Sequence, residues 1–414
     1  MSYTISSLEK TYASLIVSEG VVLYPGQCLQ IKSGPGTYAF AREIARAAYD
    51  AGALYVRIDI DDPALIRKRT EVQGDRELSF VPHVVKNAEF EMLANDWAYI
   101  RIDATEDRFW LSDADAHRLA AYRSATAEAV RVGQLSRMRN EHPWCVVCAV
   151  GPQWAKQVLG KDATTEDLWR VLTPILRLDH ENPPRAWRNH AQMLLNRCDA
   201  LNALQIDHLH FTSSQTDLTV AFTPEHRWTG GSDPLPNGTR FLANIPTEEV
   251  YSTPNRLTTE GYVTTTRPVS VMDSLVEDVR LEFSAGKVVS CSARVGQEIM
   301  ESFLDTDEGA RYLGEVALVD EFSPIAQSGY LFHSILYDEN ASCHLALGAG
   351  YPSCLAHGAQ LNSDEKLLAA GCNRSLVHTD FMIGSADMHI DAYTRSGERI
   401  SIMHEGKFSE LRQP

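Results

Sequence analysis

Apolar positions in the first half of the chain recur at helical spacing between short alternating runs. Phe40, Ile44, Ala47 and Ala48 fall at offsets of three and four, which predicts a helix entered at Thr37 and running to about residue 50. A short strand is predicted over 28–32, broken by Gly34-Pro35-Gly36, and a second over 53–60, after Gly52 ends the helix. Strand, helix and strand in that order imply neighbouring parallel strands. Further strands are expected over 97–103 and 144–150, separated by a helix over 113–139. The glycine turn invites a nucleotide-loop reading, but GPGTYA is neither GxGxxG nor a P-loop, and a plain helix entry accounts for it.

Beyond about residue 200 the period changes from helical to two. Leu218, Val220 and Phe222 alternate with polar residues, 279–283 and 287–292 flank Ser284-Ala285-Gly286 as a hairpin, and 388–393 and 399–404 flank Ser396-Gly397 as another. One helix is expected over 296–304. The polar stretch 179–187 (DHENPPRAW), with its Pro pair, marks a boundary or an exposed elbow. The expected organisation is an α/β N-terminal domain with a mostly parallel sheet over 1–195. A β-rich α+β domain over 196–414 would carry the chemistry. A chain of 414 residues suits two such domains.

Composition narrows the partners. Asp and Glu number 55 against 38 Lys and Arg, a net charge of −17 that disfavours nucleic acid and anionic membranes. No apolar run approaches the roughly 18–20 residues of a membrane helix. Residues 1–10, with Glu9 and no basic-then-apolar run, predict no secretory signal. Eight cysteines over the whole chain are too sparse for a disulfide scaffold, so a reduced, cytoplasmic protein is expected. The one CxxC, Cys145 and Cys148, lies in a strand-like run where its sulfurs would sit on opposite faces, which favours core packing.

The chemistry concentrates in the second half. In His378-Thr379-Asp380 a strand would place the imidazole and carboxylate on one face about 7 Å apart, close enough to share a metal. A solvent-facing polar pair is the plainer reading of that motif alone. Tyr337-Asp338-Glu339-Asn340-Ala341-Ser342-Cys343-His344 ends in a histidine that opens an apolar, glycine-rich stretch to Tyr351, and a surface turn would explain its acids. Glu248-Glu249 precedes apolar Val250, and Glu315 sits within LGEVALV, where a carboxylate is costly unless paired or metal-bound. These residues form a nitrogen and oxygen donor set suited to Zn, Co or Mn, numerous enough for two ions with a bridging carboxylate and a shared water. His208 and His210 form an HxH with no visible partner block, and His333 and His389 are expected in apolar strands as hydrogen-bonded residues.

The segments ANIPTEEVYSTP, YLGEVALV, LYDENASCHLALGAGY and HTDFMIGS, in this order, resemble the signature blocks of the metallo-aminopeptidases typified by aminopeptidases T, S and II. QTDLTVAF and GALYVRIDIDD are similar to further family segments. The resemblance implies two divalent ions held by Glu249, Glu315, His344, His378 and Asp380, with Glu315 bridging and Tyr351 as the active-site tyrosine. It also implies a homodimer that removes single residues from the N-terminus of short peptides. Glu248, beside a ligand, is the candidate general base, although strand alternation would turn it away from Glu249. Two other readings compete. A mononuclear non-haem iron triad of His344, His378 and Asp380 would suit a ring-cleaving dioxygenase, which has no need of Glu249 and Glu315. An inactive peptide-binding protein would be indifferent to chelation.

Overall fold

The computed structural model describes residues 4–111, 114–272 and 274–411. Positions 1–3 and Asp113, where the N-terminal reading and the expected 113–139 helix begin, lie outside them. By internal contacts the chain forms two units, residues 1–188 with 232–246, and residues 189–231 with 247–414. The expected single cut at 195/196 therefore becomes a division inside one helix, Pro183–Ala203, and a short segment returns to the first unit. The Pro pair opens that helix rather than an elbow, since proline lacks only an N–H that a first turn leaves unpaired.

The first unit is a parallel α/β layer. Strands β1 (Cys28–Ser33), β2 (Tyr55–Ile60), β3 (Ala98–Asp103) and β4 (Trp144–Cys148) form a sheet with Asn244–Ile245, in the order 244–245, β4, β3, β1, β2. All four pairings are parallel. Helix α1 (Tyr38–Asp50) buries Phe40, Ala41, Ile44 and Ala48, the stripe read from spacing with Ala41 in place of Ala47. Thr37 stands at the N-cap but makes no side-chain bond to the helix. Its hydroxyl accepts from Gly34 N (3.0 Å) and so holds the GPG turn. The helix over 113–139 is observed as Ala116–Met138. Cys145 and Cys148 are both buried and form no disulfide, and burial holds the Cys145 thiol far above its ordinary pKa, which suits packing rather than redox chemistry.

The second unit is β-rich and antiparallel. Its eight-stranded sheet contains both expected hairpins, Arg280–Ser284 with Lys287–Ser292 and His389–Thr394 with Arg399–His404. Ala285 and Gly286 both take positive φ (49° and 80°), as a two-residue hairpin turn requires. A five-stranded sheet runs in the order His378–Met382, His344–Gly348, Leu313–Val319, Glu249–Ser252, Thr229–Gly230. Its inner face, with Val250, Val316, Leu318, Leu345, Leu347 and Phe381, belongs to the unit's hydrophobic core. No helix among the described residues is long and apolar enough to cross a membrane.

Candidate metal centre

Strand register decides which side chains meet. Glu315 stands opposite Ala346, and Ala346 opposite Asp380. His344 stands opposite Ala317, Gly348 opposite His378, and Glu249 opposite Val319. Directly opposed residues share a face, and so do residues two apart on a strand. Glu249, Glu315, His344, His378 and Asp380 therefore all project from the face opposite the core, with Ala317, Ala346 and Gly348 interleaved. Those small side chains leave room between the polar ones. At Gly348 (φ +112°) an added Cβ would lie 2.0 Å from Val377 O, so only glycine lets the His378 strand approach this closely.

The five side chains fall into two groups whose donor atoms lie within 4.8 Å of one another. Glu249, Glu315 and His344 form one; Glu315, His378 and Asp380 form the other. His344 Nε2 is 3.1 Å from Glu249 Oε2, and His378 Nε2 is 3.1 Å from Glu315 Oε2 and 3.5 Å from Asp380 Oδ1. Each imidazole is oriented from behind by a backbone carbonyl, Ser342 O on His344 Nδ1 (3.2 Å) and Ala349 O on His378 Nδ1 (2.7 Å). That leaves Nε2 facing the cluster, the arrangement that fixes a metal-binding histidine.

The donor set fits divalent ions. Glu249 Oε2 and Asp380 Oδ1 are buried and make no hydrogen bond, each facing an imidazole Nε2, at 3.1 and 3.5 Å. A buried carboxylate oxygen in that position is costly unless a cation meets it. The site also carries more acid than the histidines offset. Burial raises the Glu315 carboxyl against the pull of His378, and the Asp380 and Glu249 charges raise it further. Burial works against a charged His344, yet Glu249, Asp380 and Glu315 outweigh it and bring the ring to about 10. Asp380 is lowered in spite of its burial, by His378 and then His344.

Tyr351 adjoins the cluster. Its ring meets His378 edge-on at 5.0 Å between centroids, and Thr253 holds its backbone at both N (2.9 Å) and O (3.2 Å). Burial first, then the carboxylates of Glu315, Asp380, Glu339 and Glu249, push its phenol well above the ordinary value, so it remains a donor.

Glu248 is not brought into the cluster. Its Oε2 lies 3.4 Å from His190 Nε2, and its N–H donates to Asn340 Oδ1 (2.7 Å). It stands just before the strand Glu249–Ser252. Glu339, read from sequence as part of a surface turn, instead lies in the field of Asp380, Glu249, His344 and Glu315. Burial first and these carboxylates next push its carboxyl well above its usual range. Its signal in the sequence was its place five residues before His344, in a segment already noted for ending at a ligand type. His208 and His210 pair with Asp207 (3.1 Å) and Asp217 (2.8 Å) and join neither group. His389 lies on a strand as expected, whereas His333 lies in a bend with φ +54° rather than in a strand.

Comparison with known proteins gives the family. The family model for the thermophilic metalloproteases (M29) matches residues 6–408. Aminopeptidase 2 of Geobacillus stearothermophilus is 36% identical over 401 residues, which cover 96% of this chain and 97% of that protein. Aminopeptidase T of Thermus aquaticus is 32% identical over 399 residues, covering 96% and 97%. The solved structure of wild-type AmpT from Thermus thermophilus matches with a TM-score of 0.89 at 31% identity, covering 98% of this chain and 100% of that one. With its fold and nearly its full length shared, the chain belongs to the thermophilic metalloprotease family (M29).

Proposed function

We propose that the chain is an aminopeptidase that removes single residues from the N-terminus of short peptides at a centre of two divalent ions, Zn, Co or Mn. The observation that carries this reading is the membership of Glu315 in both donor groups, which suits a carboxylate serving two ions at once. Glu249 and His344 would hold one ion with it, and His378 and Asp380 the other. When bound, such ions polarise the scissile carbonyl and bring the pKa of a shared water toward neutrality.

The remaining work falls to this chain's own groups. The protonated Tyr351 hydroxyl donates to the carbonyl oxygen as charge develops there, a contribution of roughly 3–4 kcal/mol for one donor in a comparable site. Glu339 replaces Glu248 as the general base. Burial and neighbouring acids raise its carboxyl and so make its carboxylate a stronger base than a free one, which suits it to take a proton from the attacking water and, once protonated, to give that proton to the departing amine. The free N-terminus of the peptide is a cation, for which a centre rich in carboxylates is suited.

The names of the relatives support the peptidase reading, and the net charge of −17 argues against nucleic-acid partners. Eight cysteines, none of them in a disulfide, suit a reducing, cytoplasmic setting, and we take the working protein to be a homodimer. The iron triad loses its support here, because His344 groups with Glu249 and Glu315 while His378 and Asp380 group separately.

The test is a panel of aminoacyl chromogenic amides, assayed on chelated protein after adding back Zn, Co, Mn or Fe. Turnover restored by Zn, Co or Mn supports the reading. No amide turnover with any ion, or peptide binding indifferent to chelation, contradicts it.

A further inference from the structure

One sheet face of the second unit gathers four histidines and treats them in two ways. The strands Ile206–Ser213, His389–Thr394 and Arg399–His404 lie side by side. Leu209, Phe211, Ile390, Ala392 and Met403 belong to the core, so alternation sends His208, His210, His389 and His404 to the other face. His208 and His210 each pair with a carboxylate, Asp207 and Asp217. His389 and His404 have each other. Their rings stand 4.6 Å apart between centroids, with 75° between their planes. Among the described residues neither ring makes a hydrogen bond or an ion pair, contrary to the expectation for His389.

Strand register brings the two rings together. Ile390 opposes Met403, so the next step of the antiparallel ladder sets His389 against His404. Directly opposed side chains on one face have Cβ atoms roughly 4.5–5.5 Å apart. Both rings line a surface cleft of about 390 Å³, with Thr212, Asp391, Arg399 and Ser401. The two nearby cations are engaged elsewhere. Arg399 donates to Asp391 Oδ2 (2.6 Å), which offsets its charge. Lys407 opposes His404 from the other side and carries its ammonium over the Phe322 ring (5.2 Å).

We infer that His389 and His404 form a binding site for one divalent transition ion, Cu, Ni or Zn, sharing no residue with the Glu315 centre. A ligating imidazole nitrogen lies about 2.0–2.1 Å from such an ion, which puts the ring centroid roughly 3.2 Å from it. Two centroids 4.6 Å apart then subtend about 90° at the ion. That is the angle between neighbouring ligands in the tetragonal geometry of Cu and Ni. Imidazole suits these ions, whereas Mg and Ca call for oxygen donors. Water fills the remaining positions, and Asp391, two residues from His389 on the same face, adds a carboxylate to the cleft wall. With two protein ligands the site binds more weakly than the buried five-residue centre and fills after it. The bound ion ties the strand Arg399–His404 to the strand His389–Thr394, and binding to the folded state alone raises its stability. This inference does not depend on the peptidase reading.

The experiment dialyses full-length, Zn-loaded protein against increasing Ni and counts both ions per chain, for the wild type, His389→Gln and His404→Gln. The wild type should take up one Ni beyond its Zn, and each variant should bind that ion with affinity reduced roughly tenfold or more. Zn content and amide turnover should be equal in all three. No additional ion in the wild type, equal Ni affinity in the variants, or a variant that loses Zn overturns the inference. A second measurement needs no variant. Each donor group of the Glu315 centre offers one histidine, so copper bound there carries one imidazole. One equivalent of Cu added to the Zn-loaded wild type should show two coupled imidazole nitrogens by pulsed electron paramagnetic resonance. A one-imidazole signal would contradict the site.

Discussion

Both units bury acidic side chains, and they treat them in opposite ways. In the first unit Glu106 accepts from Gln153 N (3.0 Å) and Trp154 N (2.8 Å) at the start of the helix Pro152–Leu159, and Asp107 accepts from Gly36 N (3.1 Å) just before α1. Glu89 lies 3.5 Å from the Arg137 guanidinium. Each of these acids is met by an N–H group or a cation of the protein itself. In the second unit four acids, Glu249, Asp380, Glu315 and Glu339, crowd around two imidazoles that cannot offset them all, and Glu249 and Asp380 each bury an oxygen that makes no hydrogen bond. Burial alone therefore does not mark a functional acid. What marks it is burial that the protein compensates only in part. The first unit's acids also fill the helix starts where a phosphate would bind, a physical reason why the GPG turn is no nucleotide loop.

The contrast breaks most sharply at Glu315. Glu315→Gln should lower amide turnover by well over the roughly 10–100-fold typical of a residue that only supports a ligand. The same change should leave the unfolding midpoint of the chelated protein undiminished, because it removes one of several buried like charges. Full activity in that variant would falsify the shared-ligand assignment. Tyr351→Phe should cost about 10²–10³ in kcat with little change in KM, since its hydroxyl acts as charge develops; a change confined to KM would make it a binding residue.

Glu106→Ala is the counterpart in the first unit. It should destabilise the protein by about 3 kcal/mol in denaturant titration, through two charge-assisted bonds at a helix start, without lowering turnover per folded molecule. A loss of kcat with unchanged stability would undo the distinction between the two sets of acids.

His226 supplies the smallest expected effect and a third way to bury an ionisable group. Burial lowers its pKa from 6.5 to about 4, against the opposing pull of Thr223 O on its Nδ1 (2.8 Å), so the folded ring stays neutral. The unfolded chain binds the proton first as pH falls, so this stability is complete above about pH 6.5 and is lost progressively toward pH 4. The loss by pH 5 is about 2 kcal/mol. His226→Gln should flatten the acid limb of the unfolding midpoint; an unchanged limb would show that the ring titrates normally.

Much of this contrast is legible in the amino-acid order, and the remainder has identifiable causes. Glu315, His344, His378 and Asp380 stand out because each interrupts or borders an apolar strand run, and strand alternation alone puts His378 and Asp380 on one face. Glu248 and Glu249 are chemically identical neighbours. Only the pairing of Glu249 with Val319 decides which of them faces the cluster. Glu339 was hidden because an acid in a DEN turn has the composition of a solvated loop; its proximity to Asp380 and Glu249 is a property of tertiary packing. The return of residues 232–246 to the first unit was equally unreadable. The pairing strand there, Asn244–Ile245, has two residues, too few to show a period.

The central claim is that the second unit's partly compensated acids form one centre for two ions. It is tested most directly by the metal content of chelated protein reconstituted with Zn or Co, measured alongside amide turnover for the wild type and for Glu315→Gln. Two ions per chain are expected at full turnover, with both stoichiometry and turnover falling in the variant. Full turnover at one ion per chain, or a variant that still holds two, would contradict it.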